Sequence, residues 1–438
     1  MTEIVALTHC LAPYVSGTNL GQLRHILVAL LCISGRVTML GLSRWTEGGG
    51  SYRTLQRWYQ TPLGWGVLLW TVVRVHLVDA DGEYILAGDE VVVSKAGKST
   101  HGLGRLYSSL AQRPIPALSF VVVSLIDVGQ RRSYRLHSQQ RVPAQATEKA
   151  APAPKRPRGR PTGSTNHAKA TPTLTSELRL LQHRLHTIRR RIAPLAVKHV
   201  VLDGFFGTYP ATWMVRDCGL HLISKLRHNA TLYLPYSGSK PKRGPTPRYG
   251  DKLDYRNLPA AALCQTIHEG DVVTDSYQIS ALHKDFPDPL NVVVVVKTNP
   301  RTHTRAHGVL FSTDLSLTAA QIVDFYSLRF QIEFNFRDAK QYWGLEDFMN
   351  VSPSAVTNAA NLAFLMVNLS AALLLPQRQQ HPDFSVLDLK AYFRAHRYLA
   401  ETIKLLPDPP DDDLISRLWR RLASLGGIRP PTHLHLAA

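Results

Sequence analysis

Residues 84–93 read YILAGDEVVV, an apolar run interrupted by two acids. A run this short, rich in β-branched residues, predicts a strand buried on both faces. An ionised carboxylate in such a strand is costly unless it is paired or bound to a cation. Side chains alternate across a strand, so Asp89 and Glu90 point to opposite faces and only one of them can serve a given site. Downstream, ALSFVVVSLIDVG (117–129) predicts a second strand and RRSYRLHSQQRV (131–142) an alternating strand at an edge. KHVVLDGFFG (198–207) predicts another buried strand, again with an acid, Asp203, at its end. Strands then helices in this order predict an α/β core.

Working outward, residues 1–78 predict a helical N-terminal domain. Leu20, Leu23, Ile26, Leu27, Leu30 and Leu31 follow a helical period, and Gly48-Gly49-Gly50 precedes SYRTLQRWYQ, with Ser51 placed to cap it. A DNA-end-binding helix pair has this pattern, and so does any helical subdomain. Residues 79–142 form the first part of the core, and 143–172, dominated by Pro, Ala, Lys and Arg, read as a basic linker. The core continues over 173–228, beginning with a long basic helix. Residues 229–290 break the alternation and predict a mostly β insertion; 291–376 complete the core, and 377–438 form a helical tail.

The composition narrows the partners. The chain has 438 residues, with 51 lysines and arginines against 32 acids, a net charge of +19. At 44% hydrophobic it can bury large cores, which excludes disorder throughout, and its charge attracts polyanions. Four cysteines form no CxxC pair, so neither a disulfide framework nor a zinc knuckle is expected. MTEIVALTHCLAPY lacks a basic segment followed by a signal-length apolar run, and Asn361, Asn368 and Ser370 interrupt the most apolar stretch. The expectation is a cytoplasmic protein with no membrane span.

The third acid comes from TAAQIVDFYSLRFQIEFNFRDAKQYW (318–343), which predicts one continuous helix. On it Tyr326, Arg329, Glu333 and Lys340 fall within about 60° of one another. Plainer readings exist for each acid. Asp203 before Gly204 can simply start a turn, Asp89 can pair with Lys95, and Glu333 can form ordinary helix ion pairs with Arg329 and Arg337.

The spacing Tyr326-x2-Arg329-x3-Glu333-x6-Lys340 resembles the YREK signature of DDE transposases from bacterial insertion sequences, the insertion-sequence-4 family. LAGDEVVVSKAGKSTHGLGRLYSS and VVLDGFFGTYP resemble the regions of that family's two aspartates, and the likeness covers most of residues 84–345. The resemblance implies a ribonuclease-H-like fold, a mixed sheet with flanking helices and a β insertion before the glutamate. It implies that Asp89, Asp203 and Glu333 are the catalytic, metal-binding triad, and that Tyr326, Arg329 and Lys340 bind the DNA end, with Arg337 a further cation beside them.

Strand cleavage and transfer is in-line displacement at phosphorus, which two divalent ions can assist. Three carboxylates with no Cys/His cluster suit Mg²⁺, with Mn²⁺ as a substitute. Asp89 would bridge both ions while Asp203 and Glu333 each hold one. The linker peptide Pro157-Arg158-Gly159-Arg160-Pro161, preceded by Arg156, resembles an AT-hook, whose thin Arg-Gly-Arg core fits a narrow minor groove. The expected activity is that of an insertion-sequence transposase, which binds terminal inverted repeats, cleaves them, joins 3′-OH ends to target DNA and works as at least a dimer. Two other readings stay open: a domesticated DNA-binding protein, and a metal-dependent nuclease that cuts without joining.

Overall fold

The structure is a computed structural model describing residues 2–46, 48–108, 111–142, 171–241, 243–408 and 410–425. Five helices come first: α1 (Thr2–His9), α2 (Gly17–Cys32), α3 (Met39–Trp45), α4 (Tyr52–Gln60) and α5 (Trp65–His76). Strands β1 (Tyr84–Ser94), β2 (Gly104–Ser108), β3 (Arg113–Asp127) and β4 (Arg132–Arg141) follow. Next come α6 (Ser176–Arg191), β5 (His199–Val201), α7 (Tyr209–Asp217) and β6 (His221–Leu226). Then β7 (Leu232–Pro235), β8 (Tyr249–Lys252), β9 (Leu263–Glu269), β10 (Val272–His283), β11 (Leu290–Asn299) and β12 (Thr304–Ser312) run without a helix of more than one turn between them. The chain closes with α8 (Ala319–Leu328), α9 (Gln331–Gln341), α10 (Pro353–Gln380), α11 (Val386–Ile403) and α12 (Asp412–Leu425).

All the strands join one sheet. β1 pairs antiparallel with β3, and β3 with β4, as a meander. On its other side β1 runs parallel to β5, and β5 parallel to β6. The order β4-β3-β1-β5-β6, three antiparallel strands followed by two parallel ones reached through helices, is the ribonuclease-H-like arrangement. Beyond β6 the sheet continues antiparallel through β12, β11 and β10 to β7 and β8, with β9 on the other half of β10. The strands of 229–290 therefore extend the core sheet. β12 pairs with the core strand β6, and through β12 and β11 the strands of 229–290 are joined to it.

Alternation along the strands divides the apolar residues into two layers. Ile85, Ala87, Val91 and Val93 pack with α1–α5, α8, α9 and α10, whereas Leu86, Val200 and Leu222 pack with α6 and α7 on the opposite face. The N-terminal helices share their core with the C-terminal ones. Ser51 stands at the N-cap of α4, but its side chain makes no capping hydrogen bond. α10 is long and apolar enough to cross a membrane, yet 83% of its apolar window is buried inside the fold, as befits the central helix of that layer.

One expected element is different. The helix anticipated over 318–343 breaks between Leu328 and Gln331, giving α8 and α9. The amides of Arg329, Phe330, Ile332 and Glu333 bond three residues back, which tightens the chain into a turn there. The cause is packing: α8 lies on β12 and β6, and α9 on β1, β4 and α10. Tyr326 and Arg329 thus do not lie on one straight helix face with Glu333 and Lys340.

Candidate active site

The pairing of β1 with β5 matches Leu86 to Val200 and Ala87 to Val201. Asp89 and Asp203 each lie two residues beyond the last of these matched positions, on adjacent parallel chains. Asp89 faces the α8–α9 layer. Its Oδ2 accepts a hydrogen bond from Nη1 of Arg329 at 2.6 Å, and its Oδ1 accepts one from the Glu90 amide at 2.8 Å. Asp203 caps a single 3₁₀ turn, Gly204–Phe206, its Oδ1 accepting from the Phe205 amide, while its carbonyl accepts from Ser224 Oγ at 2.7 Å. Asp203 thus starts a turn, as its plain reading has it, from a position on the strand beside Asp89.

Glu333 occupies the first turn of α9 with its side chain 44% exposed, and Nη2 of Arg329 lies 3.7 Å from its Oε1. Arg329, at the break between the two helices, thus lies between Asp89 and Glu333. The Nε of Arg329 is buried with no hydrogen-bond partner. Burial raises the pKa of Asp203; the charge of Asp89 raises it further, and Arg329 and the turn amides oppose the rise. Glu333 is raised too, by burial first and then by Asp89, again against Arg329. Tyr326, half-buried on α8, is raised by burial and feels Arg329, Asp203 and Asp89. The three acids and two of the predicted DNA-binding residues share one electrostatic neighbourhood.

Lys340 donates to the carbonyl of Val92 on β1 at 2.8 Å and pairs with Glu346 at 3.3 Å, so it ties α9 to the strand that carries Asp89. Arg337 points elsewhere: it pairs with Asp338 at 2.9 Å and lies over the Phe334 ring. The pairing of Asp89 with Lys95 does not form. Lys95 donates to the carbonyls of Leu345, Glu346 and Phe348, and burial lowers its pKa to about 7. Arg156, Arg158 and Arg160 lie outside the described residues. Trp343 is 2% exposed and packed in the core, whereas Phe205, Phe330 and Phe334, close in sequence to Asp203 and Glu333, are exposed.

On the α6 side, Glu90 accepts from Ser119 and from Arg141 at 3.2 Å, and Arg141 also pairs with Glu177 in the first turn of α6. A cavity of about 260 Å³ reaches from this network to the acids, lined by Asp89, Glu90, Arg141, Glu177, Asp203 and Phe205. Sequence reading found neither this network nor the role of Ser224. An exposed phenylalanine two residues beyond a strand-end acid, Phe205, was the available signal.

Among the described residues, no three His, Cys, Asp or Glu side chains converge closely enough to hold a metal ion as they stand. The donor chemistry nevertheless fits a hard divalent cation. Asp89, Asp203 and Glu333 supply only oxygen, Asp203 and Glu333 are raised by burial first and by the charge of Asp89 as well, and Asp89 is already bonded to a cation.

The family described as DDE superfamily endonuclease matches residues 10–284. The chain belongs to this family. The match contains Asp89 and Asp203 and ends before α8 and α9. Among solved structures, the chain is similar to the piggyBac transposase in its synaptic complex with hairpin DNA, at 11% identity and a TM-score of 0.41, over 95% of this chain and 78% of that one. No curated protein matches it.

Proposed function

We propose that this endonuclease is a DNA transposase of the insertion-sequence-4 type, which cleaves at terminal inverted repeats and joins the 3′-OH ends to target DNA. The observation that carries the reading is that Asp89 and Glu333 flank Arg329, with Asp203 on the strand beside Asp89 and within the electrostatic reach of both Asp89 and Arg329. Asp89, Asp203 and Glu333 would hold Mg²⁺, or Mn²⁺ in its place, as two ions. When bound, the ions activate the attacking oxygen and offset charge on the leaving one.

The side chains do the rest. Arg329 orients Asp89 through its 2.6 Å hydrogen bond, and its planar fork suits a phosphate of the DNA end once it leaves the carboxylate. Lys340 offers a point charge close to β1, and Tyr326 a hydroxyl beside the acids. Arg337, 58% exposed at its side chain, is free to swing from Asp338 to DNA. Arg156, Arg158 and Arg160 would follow a minor groove, a reading that rests on sequence alone. Synapsis of two ends calls for at least a dimer, working on DNA in the bacterial cytoplasm.

The test is a plasmid carrying the gene with its native flanking DNA. Breaks at the element boundaries are expected with Mg²⁺ and not with EDTA. Asp89→Asn and Glu333→Ala should each lower cleavage by about a thousandfold, the scale of losing a group that acts in the transition state. Cuts without joined products would favour a nuclease. An intact plasmid bound tightly in a salt-sensitive way would favour a domesticated binder.

A further inference from the structure

Arg135 on β4 is fully buried and, among the described residues, has no carboxylate at ion-pair distance. Its Nη1 donates to Ser124 Oγ at 3.0 Å and its Nη2 to the carbonyl of Ile332 at 3.0 Å, while its Nε has no partner. The guanidinium lies 4.3 Å from the Phe336 ring centroid and 5.0 Å from that of Phe364. Burying an ion with only neutral partners is costly, and methionine or leucine would fill the same space without that cost. A feature this expensive calls for a use, and the residue it holds stands immediately before Glu333.

The surroundings make Arg135 a fixed point. Asn368 of α10 accepts from the Arg135 amide and donates to its carbonyl, each at 2.9 Å, closing the free edge of β4 like a strand partner. Pairing with β3 steps from Val123–His137 to Ser124–Arg135, so Leu136 bulges out. In a regular strand Arg135 and His137 would share a face. Here Arg135 enters the α9–α10 layer, whereas His137 feels Arg184 and Arg191 of α6. A second tie from the same strand, Asn335 Nδ2 to the carbonyl of Ser133 at 2.9 Å, fixes the next turn of α9.

We infer that Arg135 is a positioning residue for the reaction: through the Ile332 carbonyl it sets the first turn of α9, and so places Glu333 against Asp89. The inference rests on the triad reading of the site. The guanidinium also interacts electrostatically with Asp89 across the site. Arg135 touches neither substrate nor metal; it acts through the backbone beside Glu333.

The test uses the full chain with Arg135→Met and Arg135→Lys. Three quantities are read: the melting temperature, Mn²⁺ affinity by electron paramagnetic resonance titration, and kcat and KM on the plasmid with native flanks. Arg135→Met should melt at or above the wild-type temperature and keep KM, while Mn²⁺ affinity and kcat fall 10- to 100-fold, the usual scale for support behind metal ligands. Arg135→Lys, still a cation able to reach Ile332, should regain at least tenfold of the loss. Wild-type kcat and Mn²⁺ affinity in Arg135→Met would overturn the inference. So would equal losses in both variants that track a lowered melting temperature, since that is plain structural damage. A wild type that binds Mn²⁺ but cuts nothing sinks the transposase reading, and the Mn²⁺ titration then decides Arg135 alone.

Discussion

The two halves of the sheet bury very different things. From β12 to β10 the interior is regular: β11 buries Val292, Val293, Val294 and Val296, with partners on both sides. Its one buried polar residue, Asn291, donates to the carbonyls of Asp314 and Leu317 and so seats the turn that leads into α8. From β4 to β5 the interior is irregular, with Asp89 inside a strand, a bulge at Leu136, the uncompensated Arg135 and the largely buried His137. One half gains stability from uniform burial. The other gives up some of that stability to hold charges near one another.

The contrast breaks most readily at Val294. Placing a carboxylate there, with Tyr277 and Val309 paired on either side, buries a charge that has no partner. Val294→Asp should lower stability by about 5 kcal/mol or abolish folding, as read by chemical denaturation. Asp89 is tolerated one sheet segment away because Arg329 answers it. If Val294→Asp cost no more than a surface change, the claimed difference between the halves would fail.

The regular half was also the easier to read. A valine run bounded by polar residues states its own burial, and an acid inside YILAGDEVVV announces a compensating cation. Nothing in the sequence says which cation. Lys95 is six residues from Asp89 and points to three carbonyls, whereas Arg329 is 240 residues away in sequence and makes the bond. The break at Arg329–Phe330 was hidden for a similar reason. The apolar period continues through it, and only the separate seats of α8 and α9 on the sheet bend the chain. The bulge at Leu136 was invisible as well, because RRSYRLHSQQRV alternates as a regular strand would.

A middle-sized effect sharpens the comparison through pH. Burial, followed by the charges of Arg184, Arg191 and His183, lowers the pKa of His137 to about 3, against the opposing hydrogen bond with Gln139. Between about 6.5 and 3 the unfolded chain therefore carries a proton on His137 that the folded chain refuses. The stability due to the neutral ring is complete above that window and is lost as pH falls through it, by about 2 kcal/mol at pH 5. His137→Gln should flatten this limb of the stability–pH curve. An unchanged limb would mean the ring is already charged in the fold. β11, at the centre of the valine-lined half, carries no histidine to add to this slope.

The smallest expected effect on folding lies at the seam where α9 crosses β1. Lys340 is partly exposed, so its bonds to the Val92 carbonyl and to Glu346 compete with water. Lys340→Ala should cost only about 1 kcal/mol of stability, a typical net value for one hydrogen bond. A structural tether would show that loss and nothing else. A phosphate contact would show more: binding to duplexes of the element ends, followed by fluorescence anisotropy, should weaken at least tenfold, with a shallower salt dependence because one cation no longer meets the backbone. A variant that melts early but binds the ends as tightly as wild type, with an unchanged salt slope, would make Lys340 a strut of the irregular half and remove it from the DNA-binding face.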